Sequence, residues 1–244
     1  MALIVNADDL GLNAAVNSAI CEALSAGLVD RTTMLVNMDG AAEGMELASQ
    51  KGFAGCVGLH LNLTAGKPLT EGIAKDPVMC SEAGEFTADF ARNMKTRFFL
   101  PARTEKNVEA EIRAQLDRYE KLGGTLWHID SHHHVHTDPS IWRILKKVLR
   151  DYPVTSVRLG RNMYRGGNPL MHIYKKLLNA SIRRFCKNRC DLFGSAADYA
   201  EYFKKNAAAP DKYDIEVMVH PVYDGSGKLC DACGGNYLNL ERLH

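Results

Sequence analysis

Two adjacent carboxylates close the first apolar run of the chain: in LIVNADDLGL, Asp8 directly precedes Asp9. Neighbouring carboxylates repel unless a cation or a shared proton relieves them, and a metal would supply that relief. An Asx cap starting a helix near Leu12 accounts for one of these aspartates but hardly for both. His60 interrupts the apolar run GLHLNL. Taken alone, a histidine there is more often a satisfied core residue than a ligand. The run HIDSHHHVH places five histidines and one aspartate within nine residues. Solvated surfaces seldom need such a density, whereas imidazole–metal chemistry does. The run is internal and broken by Val135, which excludes an appended tag. His220 ends the run MVHP. An imidazole facing a metal could protonate a leaving amine there, and a buried histidine bonded to backbone is the plain alternative. Two imidazoles and one carboxylate leave coordination positions for water and a carbonyl, so hydrolysis is the default reaction. Spacing does not choose among the five clustered histidines.

Residues of these types need a scaffold that points them one way. The first six residues form an apolar run, and helical periodicity follows over 14–26, giving a β-α unit. Strand patterns at 32–37 and 55–63 flank a helical pattern at 41–51. An amphipathic helix over 105–122 stops at Gly123-Gly124. A strand at 125–130 then leads to a helix at 139–150 with proline in its first turn. Further strands are expected at 154–159 and 214–220, separated by a basic and partly helical stretch over 161–209. Residues 66–103 carry no long period and read as an insertion over one end of the domain, where long irregular stretches are usually functional. Strands alternating with helices argue for parallel β-α units, and the absence of repeats or linkers for a single domain over 1–244. The unusual polar residues sit at one end of these strands: Asp8, Asp9, Asn37, His60, Asp130, His132, Arg158 and His220. In parallel α/β folds the C-terminal strand ends form the reactive face. Six strands aimed at one rim are the strongest signal in the sequence.

A formal charge of +1 gives no global field to recruit nucleic acid or an anionic membrane. No apolar stretch approaches the length of a membrane span. The N-terminal apolar run lacks a basic lead and is broken by the aspartates, so it does not read as a signal peptide. Seven cysteines, an odd number at scattered positions, suit reduced thiols in the cytoplasm. Cys186 and Cys190, with Cys230 and Cys233, offer a four-thiolate zinc site as a minor alternative to free thiols.

The motifs IVNADDLGL, TTMLVN, GLHLNLTAGKPL, HIDSHHHVH and EVMVHP, in this order from residue 4 to residue 221, resemble the YdjC-like family of carbohydrate deacetylases. The resemblance implies a (β/α) barrel-like fold related to the polysaccharide deacetylases. It also implies a divalent metal assigned as magnesium, and release of acetate from N-acetylglucosamine units such as those of chitooligosaccharides. Zinc would suit the imidazole ligands as well. Carried over by motif, Asp9, His60 and His132 correspond to metal ligands, Asp8 to the general base and His220 to the general acid. His134 and His136 are left as contacts to the substrate or to the ligands, and Asn37, Arg158 and Arg161 as substrate contacts on the same rim. Family members usually continue past the His-Pro strand through a further helix and strand. The barrel is therefore expected either open or completed by a partner subunit in a homodimer. Two rivals stand beside this reading: a metallohydrolase of a phosphate ester or another amide, and a non-enzymatic metal or sugar sensor.

Overall fold

The computed structural model describes residues 2–163, 169–186, 190–205 and 210–233. The chain opens with β1 (Leu3–Leu10), α1 (Ala14–Ser25), β2 (Arg31–Met34), α2 (Ala41–Gln50) and β3 (Val57–Leu61). Three short helices follow, α3 (Glu71–Ala74), α4 (Asp89–Arg92) and α5 (Met94–Phe98), before the long α6 (Ala102–Lys121). Next come β4 (His128–Ser131), α7 (Pro139–Val148), β5 (Ser156–Val157) and α8 (Pro169–Cys186). The last units are β6 (Leu192–Ser195), α9 (Ala196–Lys205), β7 (Ile215–Val219), β8 (Pro221–Tyr223) and β9 (Leu229–Asp231).

Seven strands form one parallel sheet in the order β5-β4-β3-β2-β1-β7-β6, and β8 pairs with β9 as a small antiparallel hairpin. This is the circular order of a seven-stranded parallel barrel in which β5 and β6 remain unpaired. The expected barrel-like fold is therefore present as a curled half-barrel, open between those two edges among the described residues. Residues 162 and 163 run along the β6 side of the gap. Their amides donate to the Phe193 carbonyl at 3.0 and 3.2 Å, and the Phe193 amide donates to Asn162 Oδ1 at 2.7 Å. Those contacts satisfy backbone groups that an edge would otherwise leave bare.

Both faces of the sheet are covered, yet its strands alternate: apolar residues of β1, β3 and β7 fill one face, and buried polar residues such as Asn6, Asp8, His60 and Glu216 stand between them. Val5, Ala7, Leu59, Leu61, Val217 and Val219 are all essentially inaccessible to water. Each buried valine or leucine among them contributes about 1.5–3 kcal/mol. α6 buries Val108, Ile112, Leu116 and Tyr119, the periodic face read from the sequence. The stretch 161–209, expected as basic and partly helical, also contains β6, a four-residue strand too short for a period to register.

Local chemistry at the end of β1 positions the acidic pair. Between Ala7 and Leu10 the β1–β2 register slips by one residue, a bulge that holds Asp8 and Asp9. Asp9 adopts φ 76 and Gly11 φ 90. At Gly11 a Cβ would come within 2.9 Å of the Leu35 carbonyl, so glycine is required there. Buried Asn17 accepts from the Gly11 amide at 2.6 Å and donates to the Gly40 carbonyl at 3.0 Å, fastening the turn to the start of α2.

Candidate active site

The bulge turns the two aspartates to different partners. Asp9 Oδ1 lies 2.9 Å from His132 Nδ1 and 3.2 Å from His60 Nε2, so side chains from β1, β3 and the turn after β4 converge on one point. The donor atoms of Asp9, His60 and His132 all fall within 4.8 Å of one another. On its other side the His60 ring meets Asp130, Nδ1 to Oδ1 at 2.6 Å, because His60 and Asp130 are register partners across β3 and β4. Thr33 donates to Asp130 Oδ2 at 2.9 Å. A carboxylate that fixes a histidine through one ring nitrogen leaves the other free for a cation.

Electrostatics describe the same point as cation-seeking. Burial would lower the His60 pKa, but the Asp130 and Asp9 carboxylates outweigh it and push it up to about 10. Burial would raise Asp9, yet His132 and His60 hold it well below the usual carboxylate range. Positive charge is thus bound in the very place where one carboxylate and two imidazoles would ligate a divalent ion. The donor set fits a metal.

Asp8, 1% exposed, turns the other way. Arg158 grips it with both terminal nitrogens, Nη1 to Oδ2 at 2.6 Å and Nη2 to Oδ1 at 2.7 Å, and Asn6 donates to Oδ1 at 2.8 Å. Arg158 also reaches Asp130 Oδ2 at 2.8 Å and, through Nε, Glu216 Oε1 at 2.6 Å. Arg31 binds the remaining Glu216 oxygen at 3.1 Å. Two guanidiniums thus bind three carboxylates in the sheet interior. Buried charges of this kind are tolerable only when fully paired.

In the same cavity as the Asp9–His60–His132 cluster, His220 Nε2 stands 4.0 Å from Asp8 Oδ2. Burial would lower its pKa, but the carboxylates of Asp231, Asp8 and Asp9 raise it above the ordinary histidine value. Asp231 Oδ1 is 3.8 Å from His220 Nδ1, too far for a formed hydrogen bond, so its influence there is that of a nearby charge. The cavity holds about 400 Å³ and is lined by Asp8, Asp9, His60, His132, His133, His134 and His220, with Leu12, Val16, Met218 and Val222 as apolar wall. That combination of size and lining is typical of a small-molecule site. The family model described as YdjC-like protein matches residues 2–239. The chain belongs to the YdjC-like family.

Similar proteins extend the comparison. The carbohydrate deacetylase of Halalkalibacterium halodurans is 34% identical over 229 residues, covering 91% of this chain and 86% of that protein. The carbohydrate deacetylase of Brevibacillus brevis is 39% identical over 154 residues, 63% of this chain and 58% of its own length. That of Vibrio campbellii is 40% identical over 154 residues, 63% of this chain and 57% of its own length. A crystal structure from Enterococcus faecalis V583, of a protein whose proposed role is cellobiose-phosphate cleavage, superposes with a TM-score of 0.67 at 25% identity, covering 92% of this chain and 82% of that one.

Within this YdjC-like chain the structure brings Asp8, Asp9, His60, His132, His134 and His220 to one cavity and leaves the other candidates outside it. Asn37 secures the turn after β3, donating to the Lys67 carbonyl at 2.9 Å and accepting from Asn62 at 3.0 Å. His136 is fully buried, with Ser131 Oγ 2.6 Å from Nδ1 and the Arg158 carbonyl 3.1 Å from Nε2. Arg161 pairs with Asp198 at the surface. Arg158 has no exposed face at all, so its fork serves Asp8 rather than a sugar. His134 Nδ1 is buried without a hydrogen-bond partner, and burial, then Arg158, lower its pKa to about 4. It is the neutral donor or acceptor facing the cavity. The stretch 66–103, expected to cover the site, contributes no lining side chain; the β8–β9 hairpin supplies Pro221, Val222, Ala232 and Cys233 instead.

The four-thiolate zinc alternative does not form. Cys190 lines a cavity at the strand N-termini with Arg31 and His128, whereas Cys233 lines the one at the C-termini. Sequence reasoning did not single out Glu216, Arg31 or Asp231 for the site. Glu216 left one signal, an acidic residue inside the apolar strand IEVMV. No helix among the described residues is long and apolar enough to cross a membrane.

Proposed function

We propose that this chain is a metal-dependent deacetylase that hydrolyses the acetamide of an N-acetylated amino sugar, chitooligosaccharide-like in class, to acetate and the free amine. One observation carries the reading: a carboxylate, Asp8, and an imidazole, His220, face each other at 4.0 Å beside the Asp9–His60–His132 cluster. Amide hydrolysis needs a proton acceptor for water and a proton donor for nitrogen on either side of one carbonyl. The names of the relatives support the same reaction class. All seven cysteines are free thiols, which supports a cytoplasmic setting.

Asp9, His60 and His132 would hold the cation, magnesium by family resemblance and zinc by the chemistry of the ligands. Bound there, a divalent ion would polarise the acetamide carbonyl and acidify water. The chain's own residues divide the remaining work. Asp8 removes the proton of the attacking water through Oδ2, the oxygen that faces His220. Arg158 holds that carboxylate by both oxygens, so its direction is fixed before substrate arrives. His220, whose pKa the surrounding carboxylates raise, delivers a proton to the departing nitrogen. His134 orients the substrate from the buried side of the cavity. Val16, Met218 and Val222 take the methyl group or a sugar face.

The test is acetate release from N-acetylglucosamine and its short oligomers, assayed with magnesium and with zinc, beside phosphate release from phosphorylated sugars. Acetate release with chelator sensitivity is expected. Phosphate release without acetate release would select the phosphoesterase rival. Saturable sugar binding with no turnover on any substrate would select the sensor.

A further inference from the structure

The hairpin after β7 does more than wall the cavity. Pro221 pairs with Asp231 across β8 and β9, and the Ala232 amide returns to the His220 carbonyl at 2.9 Å. This folds residues 231–233 back against His220. Asp231 Oδ1 accepts the backbone amides of His220 at 3.0 Å and Cys233 at 3.1 Å, which ties the three residues together and leaves Oδ2 available. Donor atoms of His220, Asp231 and Cys233 all lie within 4.8 Å of one another. His220 Nδ1 is buried and has no hydrogen-bond partner. A buried ring nitrogen without a partner carries a desolvation cost that a ligand would remove.

We propose that His220, Asp231 and Cys233 form a second metal site, selective for zinc-like ions, whose occupation switches the enzyme off. One imidazole nitrogen, one carboxylate oxygen and one thiolate sulfur are the ligands that zinc accepts in tetrahedral sites, with a fourth position left for water. Magnesium is a hard cation that takes oxygen ligands, so the sulfur-bearing site rejects it, whereas zinc suits both sites. The charges balance: a carboxylate and a thiolate neutralise a divalent ion. On binding, the Cys233 thiol and the His220 imidazolium each release a proton to solvent as the sulfur–metal and nitrogen–metal bonds form. The hydrogen that stays on Nε2 belongs to a neutral, metal-bound ring and is far less acidic than an imidazolium proton, so His220 no longer serves as proton donor to the leaving amine. The binding stands on geometry alone, while the inhibition rests on the deacetylase reading.

Cobalt serves as the optical stand-in for zinc. Protein titrated with cobalt should develop a thiolate-to-metal charge-transfer band whose saturating intensity is that of one thiolate–cobalt centre per chain, whichever ion fills the Asp9–His60–His132 cluster. Cys233→Ser should abolish the band, Cys230→Ser should keep it, and Asp9→Asn should also keep it because the catalytic cluster is separate. In turnover, zinc should inhibit the magnesium enzyme. Cys233→Ser should need at least about a hundredfold more zinc for the same fractional loss of its own rate, because losing even a partner outside the ligand set costs up to that much in metal affinity. No band in the wild-type protein, a band persisting in Cys233→Ser, or equal loss in both serine variants would overturn the site. A band in a protein that deacetylates nothing would leave the site standing and remove the functional reading.

Discussion

Replacing Asp8 by asparagine keeps the shape of the side chain and removes its charge and its capacity to accept a proton. Two consequences follow, and the structure separates them. Arg158 loses one of three buried carboxylate partners, while Asp130 at 2.8 Å and Glu216 at 2.6 Å remain. Breaking a buried pair costs about 3–5 kcal/mol, and with two partners left the lower figure applies. For a chain of this size about 3 kcal/mol corresponds to a fall in Tm of about 6–12 °C. Loss of a general base costs about 10²–10⁴ in turnover. Glu216→Gln is the matched control, because it uncouples the same Arg158 and also Arg31, yet Glu216 lies near the strand N-termini and lines the other cavity. Melting curves, metal content and acetate release below both transitions should show similar destabilisation, metal bound in each, and activity lost only in Asp8→Asn. Equal loss of activity in the two variants would mean that Asp8 acts through the arginine cluster and not as a proton acceptor. Near wild-type activity in Asp8→Asn would remove the base altogether.

Asp9→Asn, His60→Ala and His132→Ala should each weaken metal binding by at least about a hundredfold, while His134→Ala keeps metal content and weakens substrate binding; metal analysis after dialysis checks this. The raised His220 pKa places the protonated acid above the ordinary histidine range, so activity should fall as pH rises through that raised value. Asp231→Asn removes a charge that raises it, and the alkaline limb of the kcat profile should move to lower pH; an unmoved limb would assign it to another group. Tyr119 donates its hydroxyl toward the carbonyls of Val57 at 2.8 Å and Leu126 at 2.6 Å, so Tyr119→Phe should cost about 1–3 kcal/mol in thermal unfolding with turnover preserved.

How far the sequence disclosed this molecule depended on the range of each interaction. β-α units came through because their apolar periods are local, and α1, α2, α6 and α7 begin within three residues of the positions expected. Asp9, His60 and His132 could be gathered on one rim because strand polarity alone sends all three there. Pairing was less visible. Arg158 looked like a substrate contact because a cation at a strand end gives no hint that Asp8, 150 residues earlier, meets it across the curled sheet from β1, with β2, β3 and β4 lying between their strands. His136 differs from His132 by a single turn of backbone, yet one is fully buried and the other lines the cavity. Asp231 escaped notice because a hairpin, and no periodic element, carries it back to His220.

Three residues at the site, Asp9, His133 and His134, hold backbone angles of φ 76, 53 and 56, a region that side-chain-bearing residues seldom occupy. Each such placement costs about 1–3 kcal/mol, so the rest of the fold must keep the rim in tension. His133 is the one of the three with no part in the proposed chemistry, and His133→Gly would relax the backbone at the cost of its contact with Thr64 at 3.0 Å. A chain released from the need to turn over substrate could therefore become sturdier by changes on its working face. Screens for thermal resilience that ignore activity should accumulate glycine or asparagine at that position first, and the stability they gain would measure the load the working enzyme carries.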